Sequence, residues 1–158
     1  MKTIFAAIGA LAILPTAAAT EVAVTYSDDF AEELADNYGE RDGEALTEEI
    51  IEDLDRAFTK AGVAPARVDV TIVDAKPTRP PLEQLSARPG LDAFRSISLG
   101  GMKLVGTAYD GEGNVIASQE YGWFENNLRD VVGSGVWTDA NRASRRFATK
   151  MAKQLSDS

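Results

Sequence analysis

The sequence predicts an α+β fold of two layers, with a small, mainly antiparallel sheet that includes a hairpin and with helices packed on one of its faces. Three observations predict it. Short runs alternate apolar and polar residues at 21–26, 67–75, 96–109 and 115–124. The last two flank Asp110-Gly111-Glu112-Gly113-Asn114, a composition that favours a tight reversal. Two long stretches, 47–61 and 138–155, instead repeat apolar residues every three or four positions, the period of a helix.

In chain order, Glu21 to Tyr26 places Val22, Val24 and Tyr26 on one side of a first strand. Ser27 follows as a helix cap, with Phe30, Leu34 and Tyr38 four apart, and the polar stretch Gly39 to Glu44 reads as a loop. Thr47 is an N-cap candidate with Glu48 and Glu49 in the first turn, where the helix dipole favours negative charge. Ile50, Ile51, Leu54, Ala57, Phe58 and Ala61 then form the apolar face, and Glu48, Glu49, Glu52, Asp53 and Asp55 the solvated one. Gly62 and Pro65 mark the stop. In the second strand, Arg67 to Ala75, the inward residues are Val68, Val70 and Ile72.

Four prolines and a glycine between Lys76 and Asp92 preclude continuous structure apart from a helical turn at Leu82 to Leu85. Gly100-Gly101 suggests a bulge or bend inside the run that begins at Ser96. Glu125 to Val136 reads as a connection, and Thr138 caps a final helix. That helix carries Ala140, Ala143, Phe147, Met151 and Leu155 on one face, and Arg142, Arg145, Arg146, Lys150 and Lys153 on the other.

The 158 residues include no histidine and no cysteine. A Ser/His/Asp or Cys/His nucleophile, a Cys/His zinc cluster, a haem-ligating histidine and a disulfide are thereby ruled out, and no cofactor or metal is expected. A net charge of −9 argues against nucleic acid and against an anionic membrane surface as partners. The charge is unevenly spread: Thr20 to Gly62 holds fourteen acids and three bases, Val63 to Ser158 eleven acids and twelve bases.

The first nineteen residues have the three parts of a secretory leader: Lys2, an apolar run from Ile4 to Leu14, and small residues Ala17-Ala18-Ala19 after Pro15. Cleavage between Ala19 and Thr20 is expected, leaving one α+β domain over 20–158. The apolar run is too short to cross a bilayer. No cysteine stands at the cleavage point to accept lipid, so the expectation is a periplasmic or secreted protein that is not a lipoprotein, with no transmembrane segment in its mature form.

No phosphate loop, dinucleotide fingerprint, nucleophile elbow or calcium loop is complete. Adjacent acids such as Glu48-Glu49 and Glu52-Asp53 share the same water on a helix surface, which does not tune a catalytic pair. Long loops inside compact domains are often functional. Arg79 and Arg88 in the proline-rich loop, with Trp123 and Asn126, therefore form one candidate binding set, since a guanidinium offers a planar fork to an anion and an aromatic ring offers stacking area. Arg142, Arg145 and Arg146 on the last helix form another. The reading is a noncatalytic module that binds a protein or small ligand. The alternative is a small carboxylate-dependent hydrolase, which requires an acid buried in a cleft.

The segments Lys76-Pro77-Thr78-Arg79-Pro80, Arg88-Pro89-Gly90-Leu91, Ser96-Ile97-Ser98-Leu99-Gly100-Gly101 and Trp137-Thr138-Asp139-Ala140 resemble a family of small exported bacterial proteins of unknown function. The likeness lies in turns, bends and caps, and implies no activity.

Overall fold

The computed structural model describes residues 19–158. The leader expected at 1–19 lies outside the described residues except for Ala19. Four strands form one mixed sheet in the order β1 (Glu21–Tyr26), β2 (Arg67–Lys76), β3 (Gly101–Tyr109) and β4 (Val115–Phe124). β1 runs parallel to β2, and the other two pairings are antiparallel. Helices α1 (Asp28–Glu33) and α2 (Glu40–Ala61) make the crossover that a parallel pair requires. α3 (Leu82–Ala87) interrupts the loop after β2, and α4 (Thr138–Ser156) closes the chain. The architecture is α+β: α2 and α4 pack against each other, and α4 also packs on β3 and β4.

Strand register explains the core. Val22, Val68, Ala108 and Ala117 stand abreast on the helix side, followed by Val24, Val70, Gly106 and Gln119, and then by Tyr26, Ile72, Leu104 and Tyr121. Against these rows α2 sets Leu46, Ile50, Leu54 and Phe58, and α4 sets Ala140, Ala143, Phe147 and Met151. A fully buried Leu or Phe contributes about 1.5–3 kcal/mol relative to exposure, so these rows dominate the stability. Gly106 is where α4 comes closest, because a Cβ there would lie 2.6 Å from Phe147 Cζ and 2.9 Å from Met151 Cε.

Ser27 caps α1 as expected, accepting from the Phe30 amide at 3.2 Å while donating to Val73 O at 2.8 Å. Gly62, at φ +69°, ends α2. Asp110 organises the β3–β4 hairpin by accepting from the amides of Glu112 and Asn114, each at 2.9 Å. The Asn114 side-chain amide, which donates to Oδ2 at 3.0 Å, together with these backbone amides holds its carboxyl below the ordinary range.

Several expectations need correction. Gly39 to Glu44 is not a loop, since α2 starts at Glu40. Gly43 is buried inside the helix, where a Cβ would meet Leu34 Cδ1 and the Tyr26 hydroxyl at 3.0 Å, so a residue that suggests a break serves close packing instead. Thr47 is consequently mid-helix, its hydroxyl 3.0 Å from that of Tyr26. The helix after Ser27 changes to one π-helical stretch at Leu34–Tyr38, which keeps Leu34 and Tyr38 buried.

On α2, Asp53 is buried and Ile51 is exposed, the reverse of the amphipathic assignment. Thr138 does not cap α4: Trp137 occupies that position, and the Thr138 hydroxyl accepts from the Gly135 amide at 2.8 Å. Ser96 to Gly100 is not strand. Gly100-Gly101 forms no bulge, because the register shifts lie at Ile72/Asp74 and Ala108/Tyr109. The two glycines instead allow close approach: a Cβ on Gly100 would lie 2.5 Å from Thr78 Oγ1, and one on Gly101 would collide with the Trp123 carbonyl.

Candidate functional site

A cleft of about 300 Å³ opens where the proline-rich loop folds back over the end of β2. Tyr38, from the π-helical stretch, and Lys76, the last residue of β2, form one side. Gln84 and Arg88, from α3 and its C-terminal end, form another. Pro77, Pro80, Leu91, Ile97 and Leu99 supply apolar wall, and Ser96 and Ser98 add polar edges.

Backbone pairing holds these pieces in place. The Ser98 amide donates to Thr78 O at 2.9 Å, and the Thr78 amide donates to Val136 O at 2.7 Å. The Ser98 hydroxyl donates to Pro77 O at 2.6 Å. Prolines suit such a segment because each fixes φ and carries no amide needing a partner.

Tyr38 is buried, with its ring edge-to-face on Trp137 at 5.4 Å. Burial first, then the neighbouring Glu33 and Asp74, push its hydroxyl well above the ordinary tyrosine range, so it stays protonated. Trp137 is fixed from its other end by donating Nε1–H to Asp42 Oδ1 at 2.6 Å. Arg88 donates to Asn37 Oδ1, next to Tyr38 in sequence. The Lys76 ammonium lies 5.9 Å from the centre of the Phe124 ring. Among the described residues, neither Lys76 nor Arg88 has a carboxylate within ion-pair distance.

The two candidate sets are rearranged relative to the sequence reading. Arg88 lines the cleft, but Arg79 does not: its guanidinium donates to the carbonyls of Ser134 at 2.5 Å and Phe94 at 2.6 Å, tying two loops together. Nor does Trp123 line it, since the Arg146 guanidinium sits 4.5 Å above the Trp123 ring. Asn126 is exposed, its amide bonded to Glu125 Oε1 at 2.8 Å. On α4, Arg142 lies 3.1 Å from Asp139 and 4.0 Å from Glu125, and Arg145 lies 3.7 Å from Glu49.

Sequence patterns do not mark Tyr38, Lys76, Ile97 or Leu99 as cleft residues. Tyr38 reads as the last apolar position of a helix, and only the fold brings it to the loop.

The acids that a hydrolase would need are arranged differently. Glu49 and Asp53 lie one turn apart on α2, facing α4, and burial pushes the pKa of both upward. Asp53 Oδ1 accepts from Arg56 at 2.7 Å, whereas Oδ2 and the neighbouring Ser144 Oγ are buried without a hydrogen-bond partner. Neither acid lines the cleft. Among the described residues, no group of three or more acids is placed to hold a metal ion, and no helix is long and apolar enough to cross a membrane.

No family model and no curated protein matches the chain. Among solved structures, the chain is similar to a minor lipoprotein from Acinetobacter baumannii, crystallised and determined at 2.35 Å. The match covers 87% of this chain and 92% of that one, with 11% identity and a TM-score of 0.37. At that identity and TM-score nothing about function follows from the likeness.

Proposed function

We propose that the protein is an exported, noncatalytic binding module whose cleft takes a small anion carrying an apolar body. The observation that supports this is the cleft itself: two cations without carboxylate partners, Lys76 and Arg88, border apolar wall from Pro77, Pro80, Leu91, Ile97 and Leu99. A concave site with mostly apolar lining and a few convergent polar groups is the usual form of a small-molecule site. Arg88 offers a planar fork to a carboxylate or phosphate, and Lys76 offers a point charge. The export reading rests on the leader sequence at 1–19.

The test is recovery of the protein from a periplasmic extract at low and high salt, followed by mass spectrometry of bound small molecules. The expected result is a small amphiphilic anion that is lost at high salt and from an Arg88→Glu, Lys76→Glu variant. A protein free of small molecules at low salt, or one whose bound molecule survives both charge reversals, would overturn the assignment.

A further inference from the structure

A second surface, separate from the cleft, lies along the free edge of β4. β4 is the last strand of the sheet, and among the described residues its backbone bonds to no element other than β3. The side-chain amide of Gln119 covers one carbonyl, that of Glu120, at 2.8 Å. An unpaired edge is a template for another extended chain unless it is blunted by proline, a bulge or a covering element. β4 is ten residues long and contains no proline, and its bulge at Ile116, between the pairs Ala108–Ala117 and Tyr109–Val115, lies at the hairpin end and leaves Ala117–Phe124 in regular register.

α4 runs beside this edge in step with it. Arg142 reaches Glu125 at 4.0 Å, the Arg146 guanidinium lies 4.5 Å from the Trp123 ring centre, and the Lys150 ammonium lies 5.4 Å from that of Tyr121. Four helical residues rise about 6 Å, and two strand residues rise about 6.6–6.8 Å, so consecutive cations meet alternate positions along this edge, Glu125 just past β4 and then Trp123 and Tyr121 within it. Lys153 continues the row beside Ser118 and Gln119. Among the described residues, Arg146, Lys150 and Lys153 have no carboxylate partner, although the chain as a whole carries −9.

We propose that the β4 edge receives an extended acidic segment of another protein, with Asp or Glu at every second position. In β-addition, main-chain hydrogen bonds hold the incoming strand, and alternate side chains select it. A strand added to β4 points every second side chain toward α4, at nearly the spacing of Arg146 and Lys150. A second copy paired β4 to β4 would set two such cationic rows side by side, which disfavours that arrangement.

The probe is a capped peptide of about ten residues alternating Glu and Thr, compared with an isomer in which the Glu residues are contiguous. The expected result is tighter binding of the alternating peptide, new hydrogen-exchange protection at amides of residues 115–124, and weakening of about tenfold or more in Arg146→Gln, Lys150→Gln. Arg95→Gln, remote from the edge, should leave binding unchanged. Equal binding of the two peptides, binding without new protection in β4, or no binding would each overturn the proposal. So would tighter binding of a single-stranded oligonucleotide, or concentration-dependent self-association that protects the same amides.

Discussion

Thr78 donates its hydroxyl to Asp139 Oδ2 at 3.0 Å, and both residues are fully buried. The bond fastens the proline-rich loop to the first turn of α4, where Asp139 also pairs with Arg142 at 3.1 Å. The wall of the cleft is therefore attached to the helix that carries the cationic row.

Thr78→Val keeps the shape of the side chain and removes the donor. Loss of a hydrogen bond to a buried charge is expected to cost about 1.5–3 kcal/mol, read from urea denaturation. Gly100→Ala should be destabilising for the same reason, because its methyl group would displace Thr78 Oγ1. Wild-type stability in both variants would refute the role given to this bond.

Gly106 and Gly111 separate packing from chain entropy. Gly106→Ala pushes a methyl group against Phe147 and Met151 and is expected to cost about 1–3 kcal/mol. Gly111 has nothing within 4 Å of an added Cβ, so Gly111→Ala should change stability by about 0.5 kcal/mol or less. Thermal melts of the two variants check the contrast.

Much of the fold is legible in the sequence, because alternation and helical periodicity follow from burying one face. Val68, Val70 and Ile72, or Phe147 and Met151, can point only one way. What escapes is set by tertiary contact. Gly43 reads as a breaker until Tyr26 and Leu34 are seen to occupy the space beside it. Asp53 reads as solvated until α4 is laid over it. Of the site, Arg88 could be found from the loop composition, but the pairing of Arg146 with Trp123 depends on the in-step packing of α4 on β4, and Arg79 is consumed by carbonyls no pattern announces.

Asp53 gives a pH dependence with a definite sign. Burial raises its folded pKa above the unfolded value, against the opposing pull of Arg56 and Arg145, so the folded state binds the extra proton. Its contribution is favourable below the unfolded carboxylate range and is lost as pH rises through the folded pKa. Asp53→Asn carries no such charge, so its stability relative to wild type should improve as pH rises through and above the ordinary carboxylate range. Urea midpoints of both proteins across that range test this, and a difference that is flat or of opposite slope would refute it.

The most direct measurement for the cleft is an NMR titration of the protein with octanoate, beside octanol as its uncharged counterpart. Saturable shifts are expected at the amides of Tyr38, Lys76, Arg88, Leu91 and Ile97, weaker with octanol and abolished by Arg88→Glu, Lys76→Glu. Absence of saturable shifts at these residues, or equal shifts with octanol and in the charge-reversed variant, would contradict an anion-binding cleft.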